Sequence, residues 1–279
     1  MSSIQEFRNF YAHSIVTKYG KTDEEVISAF AAVPRENYVG PGPWKVSTVF
    51  FGYIDTVTDD PRILYQDILI GLMTDRFLNN GQPSLHAFCL IACNPQPGEC
   101  VVHIGAGTGY YTAILAELVG PNGEIAAYEI EPTLADQARR NLSHLSTVDV
   151  VAGSACDGML PRADVIYVNA AATHPLPAWL DALNIGGRLI FPFTPDKAAG
   201  YMLQVTRVGE NKYAARAVIG AAFTPCIGAR TTEMSDILAT AIKRQPMTAV
   251  KSLHRNNSPN ASAWCVGQGW WLSVNEPAD

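Results

Sequence analysis

The chain has 279 residues, of which 48% are hydrophobic and 16% charged; this apolar excess excludes disorder as an overall description. Lys plus Arg number 20 against 26 Asp plus Glu, a formal charge of -6 with no dense basic cluster, so nucleic acid is not an expected partner. No apolar run reaches the ~18 residues of a membrane span, and the N-terminus lacks the apolar centre of a secretory signal. The expectation is a soluble cytoplasmic protein with no membrane partner. Cys89, Cys93, Cys100, Cys156, Cys226 and Cys265 show no CxxC spacing, so no metal site is expected and the thiols read as buried and reduced.

In chain order, residues 22–30 (TDEEVISAF) place Thr22 and Glu25 in the relation of a capping box ahead of apolar positions 26, 27 and 30, which predicts a short amphipathic helix. Residues 34–65 mix Pro and Gly with aromatics and read as irregular chain, either a lid or padding. From residue 99, short apolar strands alternate with helical segments, the pattern of a parallel sheet wrapped by helices. CVVHIG is a strand, YYTAILAELV a helix stopped by GPNG, and IAAYE a second strand. Pro132 opens a helix carrying Leu134, Ala138, Leu142 and Leu145, and VDVVA and DVIYVN are the third and fourth strands. PLPAWLDALNIGGRLIFPF supplies a helix, a turn at 185–187 and a fifth strand ended by Pro192. YMLQVTRV and YAARAVIGAAF read as an antiparallel pair, EMSDILATAIKRQ as a helix, and WCVGQGWWLS as a strand or docked tail.

Gly105, Gly107 and Gly109 occupy the turn from first strand to first helix, where a ligand approaches backbone closely and helix N–H groups point outward. A nicotinamide dinucleotide fingerprint needs a glycine at 110, where this chain has Tyr110. Glu129 ends the second strand 24 positions after Gly105, which suits an acid accepting from the ribose hydroxyls of an adenosine-containing ligand, the alternative being a solvated strand-end carboxylate. One glycine turn with this acid favours adenosine without a pyrophosphate, and S-adenosyl-L-methionine (SAM) fits that description.

The run from VPRENYV through LNNGQPSLHAF, VVHIGAGTGYYTAILAELVG and DVIYVNAAATHPLPAWLDALNIGGRLIFPF resembles the protein-L-isoaspartate O-methyltransferases over roughly residues 22–195. The resemblance implies an α/β, Rossmann-like class I SAM methyltransferase fold: a seven-stranded, mostly parallel sheet with a reversed final hairpin and helices on both faces. It also implies carboxyl O-methylation of isoaspartyl residues in damaged proteins or peptides, with S-adenosyl-L-homocysteine as cofactor product. Residues 1–80 are then an N-terminal helical and irregular segment, 81–225 the SAM-binding core and 226–279 a C-terminal extension.

Carried onto this chain, the resemblance assigns His103, Gly105, Gly107, Thr108, Gly109, Tyr110, Glu129, Ser154 and Asp157 to the cofactor, and Gly81, Gln82 and Ser84 to the substrate. Gly81 stands where the family has a serine that helps hold the acceptor carboxylate, leaving backbone N–H groups of Gly81 or Gln82 and the Ser84 hydroxyl as candidates. His103 replaces an acid, as a core residue or a ligand, and Ser154 replaces the acid beside adenine, with Asp157 as its substitute or a turn residue. His86 and His174 are candidate bases or hydrogen-bonded structural residues, and Trp264, Trp270 and Trp271 line a peptide groove or pack internally. Two other readings stay open: the same scaffold with another peptide or small-molecule acceptor, and a non-catalytic binding protein. An amine methyltransferase acting on bases is disfavoured because VNAAATHP lacks the Asp/Asn-Pro-Pro-aromatic turn.

Overall fold

The structure, a computed structural model, describes residues 3–48 and 52–277. Helix α1 (Ile4–Thr17) begins at Ser3, whose hydroxyl accepts from the Glu6 N–H while the Glu6 carboxylate accepts from the Ser3 N–H. Its buried residues Arg8, Tyr11, Ala12, Ile15 and Val16 recur at helical spacing. Helix α2 (Glu24–Ala32) is capped by Asp23, which accepts from the Val26 N–H at 3.0 Å. The cap is therefore Asp23 and not Thr22, a single side-chain bond without the reciprocal one of a capping box, and Asp23 adds a negative charge at the positive end of the helix. The stretch expected to be irregular contains an antiparallel hairpin, β1 (Lys45–Thr48) and β2 (Gly52–Asp55).

Strands β3 (Gly71–Met73) and β4 (Leu78–Asn79) form a second short antiparallel pair before α3 (Pro83–Cys93). Alternation then follows as the apolar pattern predicts, through β5 (Cys100–Ile104), α4 (Tyr110–Val119), β6 (Glu124–Glu129), α5 (Pro132–Leu142) and β7 (Val148–Ala152). Helix α5 stops at Leu142, so Leu145 lies in the turn beyond it, donating its N–H to the Leu142 carbonyl at 2.9 Å.

Next come β8 (Ala163–Val168), α6 (Pro177–Ala182), β9 (Leu183–Phe193), β10 (Gly200–Gly209) and β11 (Lys212–Ala221). Strand β9 runs through both the expected turn at 185–187 and Pro192. Its pairing with β8 ends at Tyr167–Ile190, so Pro192 lies past that parallel ladder, where the strand tolerates a missing donor. Helix α7 (Thr232–Arg244), β12 (Ser252–Arg255), β13 (Ala263–Gly267) and β14 (Trp270–Ser273) complete the chain, and the aromatic end is a hairpin of two strands.

The chain divides into two compact units. The first, Met1–Gly98 with Ala106–Gly153, holds α1 to α5, the two short pairs and the parallel pair β6–β7. Its interior includes Tyr11, Phe30, Tyr110 and Tyr111, whose rings meet edge to face. The second, Glu99–Gly105 with Ser154–Asp279, carries strands in the order β13-β14-β12-β11-β10-β9-β8-β5. Strands β5, β8 and β9 are parallel, with Val101 opposite Val165 and Ile104 opposite Val168, and β10 and β11 are the reversed hairpin. The expected seven strands are exceeded within this unit, because β12 pairs with β11 and lets the C-terminal hairpin extend the same edge. Val165, Ile166, Tyr167 and Val168 of β8 are all fully buried, the continuous apolar run that a strand covered on both faces requires. Among the described residues no helix is long and apolar enough to cross a membrane.

Candidate functional site

In the first unit, the turn leading into α4 is laced to the end of β6. The Ala106 N–H donates to the Tyr128 carbonyl at 3.0 Å, and the Gly107 N–H donates to Glu129 Oε2 at 2.7 Å. Glu129 Oε1 accepts from the Glu131 N–H at 2.9 Å. Burial pushes the Glu129 carboxyl up, and backbone donors from Glu131, Gly107 and Ile130 offset part of that push. Each carboxylate oxygen keeps further acceptor capacity, which suits a neutral donor pair such as the hydroxyls of a ribose.

Gly107 and Gly109 are glycines for different reasons. Gly107 has φ +57°, and among the described residues the one atom within 4 Å of a Cβ built there is Leu72 Cδ1, in ordinary contact at 3.4 Å, so the backbone is largely uncovered. At Gly109 (φ +96°) a Cβ would stand 2.9 Å from Leu142 Cγ, so the requirement is helix packing. Thr108 is buried and its carbonyl accepts from Asn141 Nδ2 at 2.9 Å. Tyr110 places its ring in the aromatic interior, its hydroxyl 3.3 Å from that of Tyr11, so what it offers the turn is backbone.

The 81–84 segment, also in the first unit, is already engaged. The Gly81 N–H donates to Asn79 Oδ1 at 2.9 Å. Ser84 is fully buried, and its N–H and hydroxyl donate to the two oxygens of Asp67 at 2.9 and 2.7 Å. Gln82 Nε2 donates to Asp67 Oδ2 at 3.0 Å, and Lys18 Nζ does so at 2.5 Å. Burial works against the Asp67 charge, but the bonds from Lys18, Ser84 and Gln82 together outweigh it and hold the carboxyl below its usual range. The Ser84 hydroxyl and the Gly81 N–H thus each have a partner inside the protein.

Asp67 itself is set by Arg35 of the VPRE segment. The fully buried Arg35 guanidinium donates to the carbonyls of Leu64, Gln66 and Ile68 at 2.7, 3.0 and 2.7 Å, fixing the chain on either side of Asp67. Neither role is visible in the local sequence: Asp67 stands 16 positions before Pro83, with the β3–β4 pair between them. His86 stacks on Tyr111 with ring centroids 3.8 Å apart.

In the second unit, His103 is fully buried in β5, and burial pushes its pKa down to about 3, so the ring is neutral. Its Nε2 lies 2.8 Å from Asn169 Nδ2, while the buried Asn169 Oδ1 has no partner among the described residues. A Cβ at Gly105 would meet the Asn169 backbone at 3.5 Å. Ser154 Oγ accepts from the Cys156 N–H at 3.0 Å, a local turn, and Asp157 is exposed. His174, half-buried, has its pKa lowered by burial, and Trp264, Trp270 and Trp271 are all buried.

A glycine turn between strand and helix, followed by a buried acid closing the next strand, is an adenosine-binding arrangement of α/β folds, and the class I SAM-dependent methyltransferase fold carries it. Two solved structures share that fold. One is a protein-L-isoaspartate O-methyltransferase, at TM-score 0.66 and 23% identity, covering 84% of this chain and 69% of that one. The other, from Plasmodium falciparum, is assigned as a protein-L-isoaspartate O-methyltransferase and was solved with S-adenosyl-L-homocysteine; it has TM-score 0.64 and 16% identity, covering 79% of this chain and 98% of that one. This chain belongs to the protein-L-isoaspartate(D-aspartate) O-methyltransferase family, whose model matches residues 13–231. Relatives named protein-L-isoaspartate O-methyltransferase include one from Staphylothermus marinus, 32% identical over 74% of this chain and 87% of the relative. Another, from Rhodopseudomonas palustris, is 30% identical over 75% of this chain and 88% of the relative.

Proposed function

We propose that this protein uses SAM to methylate the carboxylate of L-isoaspartyl residues in damaged proteins or peptides. The observation that carries the reading is the span of the family match, residues 13–231, which takes in Arg35, the 81–84 segment, the glycine turn and Glu129 together.

When bound, SAM supplies a methyl group already activated by its sulfonium. Gly107 gives it an open backbone and Glu129 an acceptor for its ribose hydroxyls. The resemblance assigns His103, Gly105, Thr108, Gly109, Tyr110, Ser154 and Asp157 to the same cofactor, with Thr108 and Tyr110 contributing backbone. The acceptor carboxylate is ionised at neutral pH, so the protein has to position it and has no proton to remove. The histidines agree with that demand: His103 is neutral and internal, and His86 is packed against Tyr111. Gln82 meets the substrate through backbone at the mouth of α3, and Ser84 is a positioning residue that anchors the helix start to Asp67.

The test is incubation with methyl-labelled SAM and two peptides differing only in isoaspartate against aspartate. Base-labile methyl ester on the isoaspartyl peptide alone is expected. Label on neither peptide, with SAM binding retained in calorimetry, would transfer the scaffold to another acceptor. A pH–rate profile showing a required base would then mark an alcohol or phenol.

A further inference from the structure

We propose that Cys156 and Cys226 form a reactive thiol pair that is oxidised by small-molecule disulfides to an intramolecular disulfide. Both lie in the second unit, 70 positions apart, with their sulfurs 3.7 Å apart in hydrogen-bond contact. A disulfide needs a separation of about 2.05 Å, so closure requires a movement of under about 2 Å.

The surrounding backbone presents the pair. The carbonyl of Ala155 accepts from Trp179 Nε1 at 3.0 Å, which holds one side of the Cys156 segment. The Cys226 N–H donates to the Ala171 carbonyl at 2.8 Å, and the Cys226 carbonyl accepts from Ala229 at 3.2 Å. At Gly228 a Cβ would stand 2.9 Å from Cys156 Cβ, so the 226–229 turn folds directly over Cys156. Cys156 is half-buried and Cys226 buried, which lets a small disulfide reach the first sulfur and shields the second.

The two thiols are also unequal. The hydrogen bond from Cys226 favours the Cys156 thiolate and holds its pKa down against burial, whereas the same contact and burial push the Cys226 thiol up. Cys156, the less buried of the two, is the attacking sulfur. Its thiolate forms a bond to one sulfur of the oxidant RSSR and breaks the S–S bond, releasing RS⁻. Cys226 then attacks the Cys156 sulfur, its proton passing to a released thiolate, and expels the second RS⁻. Two protein thiols are oxidised and one RSSR is reduced to two RSH. The bond would tether the segment carrying Ser154 and Asp157, so an effect on SAM affinity rests on the function proposed above, whereas the thiol chemistry does not.

The experiment exposes the full chain to oxidised glutathione, then combines thiol titration with non-reducing peptide mapping. Free thiols are expected to fall from six to four, with a cross-linked peptide joining Cys156 to Cys226 that dithiothreitol releases. Cys226→Ser is expected to stop at a lasting glutathione adduct on Cys156, and Cys156→Ala to leave Cys226 unmodified. Thermal melts of both variants establish that they are folded. Six thiols remaining, loss at other cysteines, or a lasting adduct on Cys156 in the unsubstituted protein each overturns the proposal. None of these readouts depends on methyl transfer, so failure of the isoaspartyl assay leaves it standing.

Discussion

His86 fills the space that a side chain at Gly81 would need: its Nε2 lies within clashing distance of a Cβ built on Gly81. The ring is held there by stacking on Tyr111, with planes 19° apart, and Gly81 has φ +73°. The absent serine and the histidine five residues later are therefore one structural feature, in which the glycine makes room for the ring.

It follows that Gly81→Ser does not simply restore a hydroxyl. The clash and the left-handed backbone predict a loss of about 1–3 kcal/mol in denaturant unfolding. His86→Ala removes the clash but also the stack, so the double variant should lose less stability than the sum of the two singles. Strict additivity would separate the two residues again.

Replacing Gly107 with Val puts a branched side chain on the open backbone and strains the left-handed conformation. SAM affinity is expected to fall about tenfold or more in calorimetry. Unaltered affinity would move the cofactor away from this turn.

Glu129→Gln removes the charge while keeping the shape, although one of the two oxygens that accept backbone N–H groups becomes an NH2. Losing charge-assisted acceptance from ribose hydroxyls predicts a drop of about 10- to 100-fold in SAM affinity. Stability responds differently, because burial raises the folded-state pKa of Glu129. Its ionisation therefore costs stability as pH rises from the ordinary carboxylate range through the raised value. Any stabilisation from Glu129→Gln should be larger near neutrality than in acid, where the native carboxyl is already protonated; chemical unfolding across pH reads this.

Asp67 has the opposite sign. Its folded-state pKa is depressed, so its stabilisation is present above the ordinary carboxylate range and disappears as pH falls through the lowered value. Asp67→Ala leaves the buried Ser84 hydroxyl and N–H without their acceptor, a cost of about 1–3 kcal/mol near neutrality. The cost should shrink in acid. Because the α3 entrance loosens, KM for an isoaspartyl peptide should rise in the same variant.

What the sequence determined by itself was local. Alternating strands and helices, the glycine turn and the acid ending β6 are legible because apolar periodicity and turn chemistry act over a few residues. Helix α1 and its capping box, Ser3 with Glu6, form no part of the sequence reading, because the mixed polarity of the following residues disguises the stripe. Tertiary structure alone decided the rest. Asp67 anchors Ser84 from 17 positions away, and Arg35 reaches the Leu64 carbonyl across 29. Cys226 finds Cys156 across 70, and whether Gly81 is a loss or an accommodation depends on where α3 points the His86 ring. Burial makes these choices: most buried polar groups find a partner, and which partner is near is a property of packing that no local spacing records.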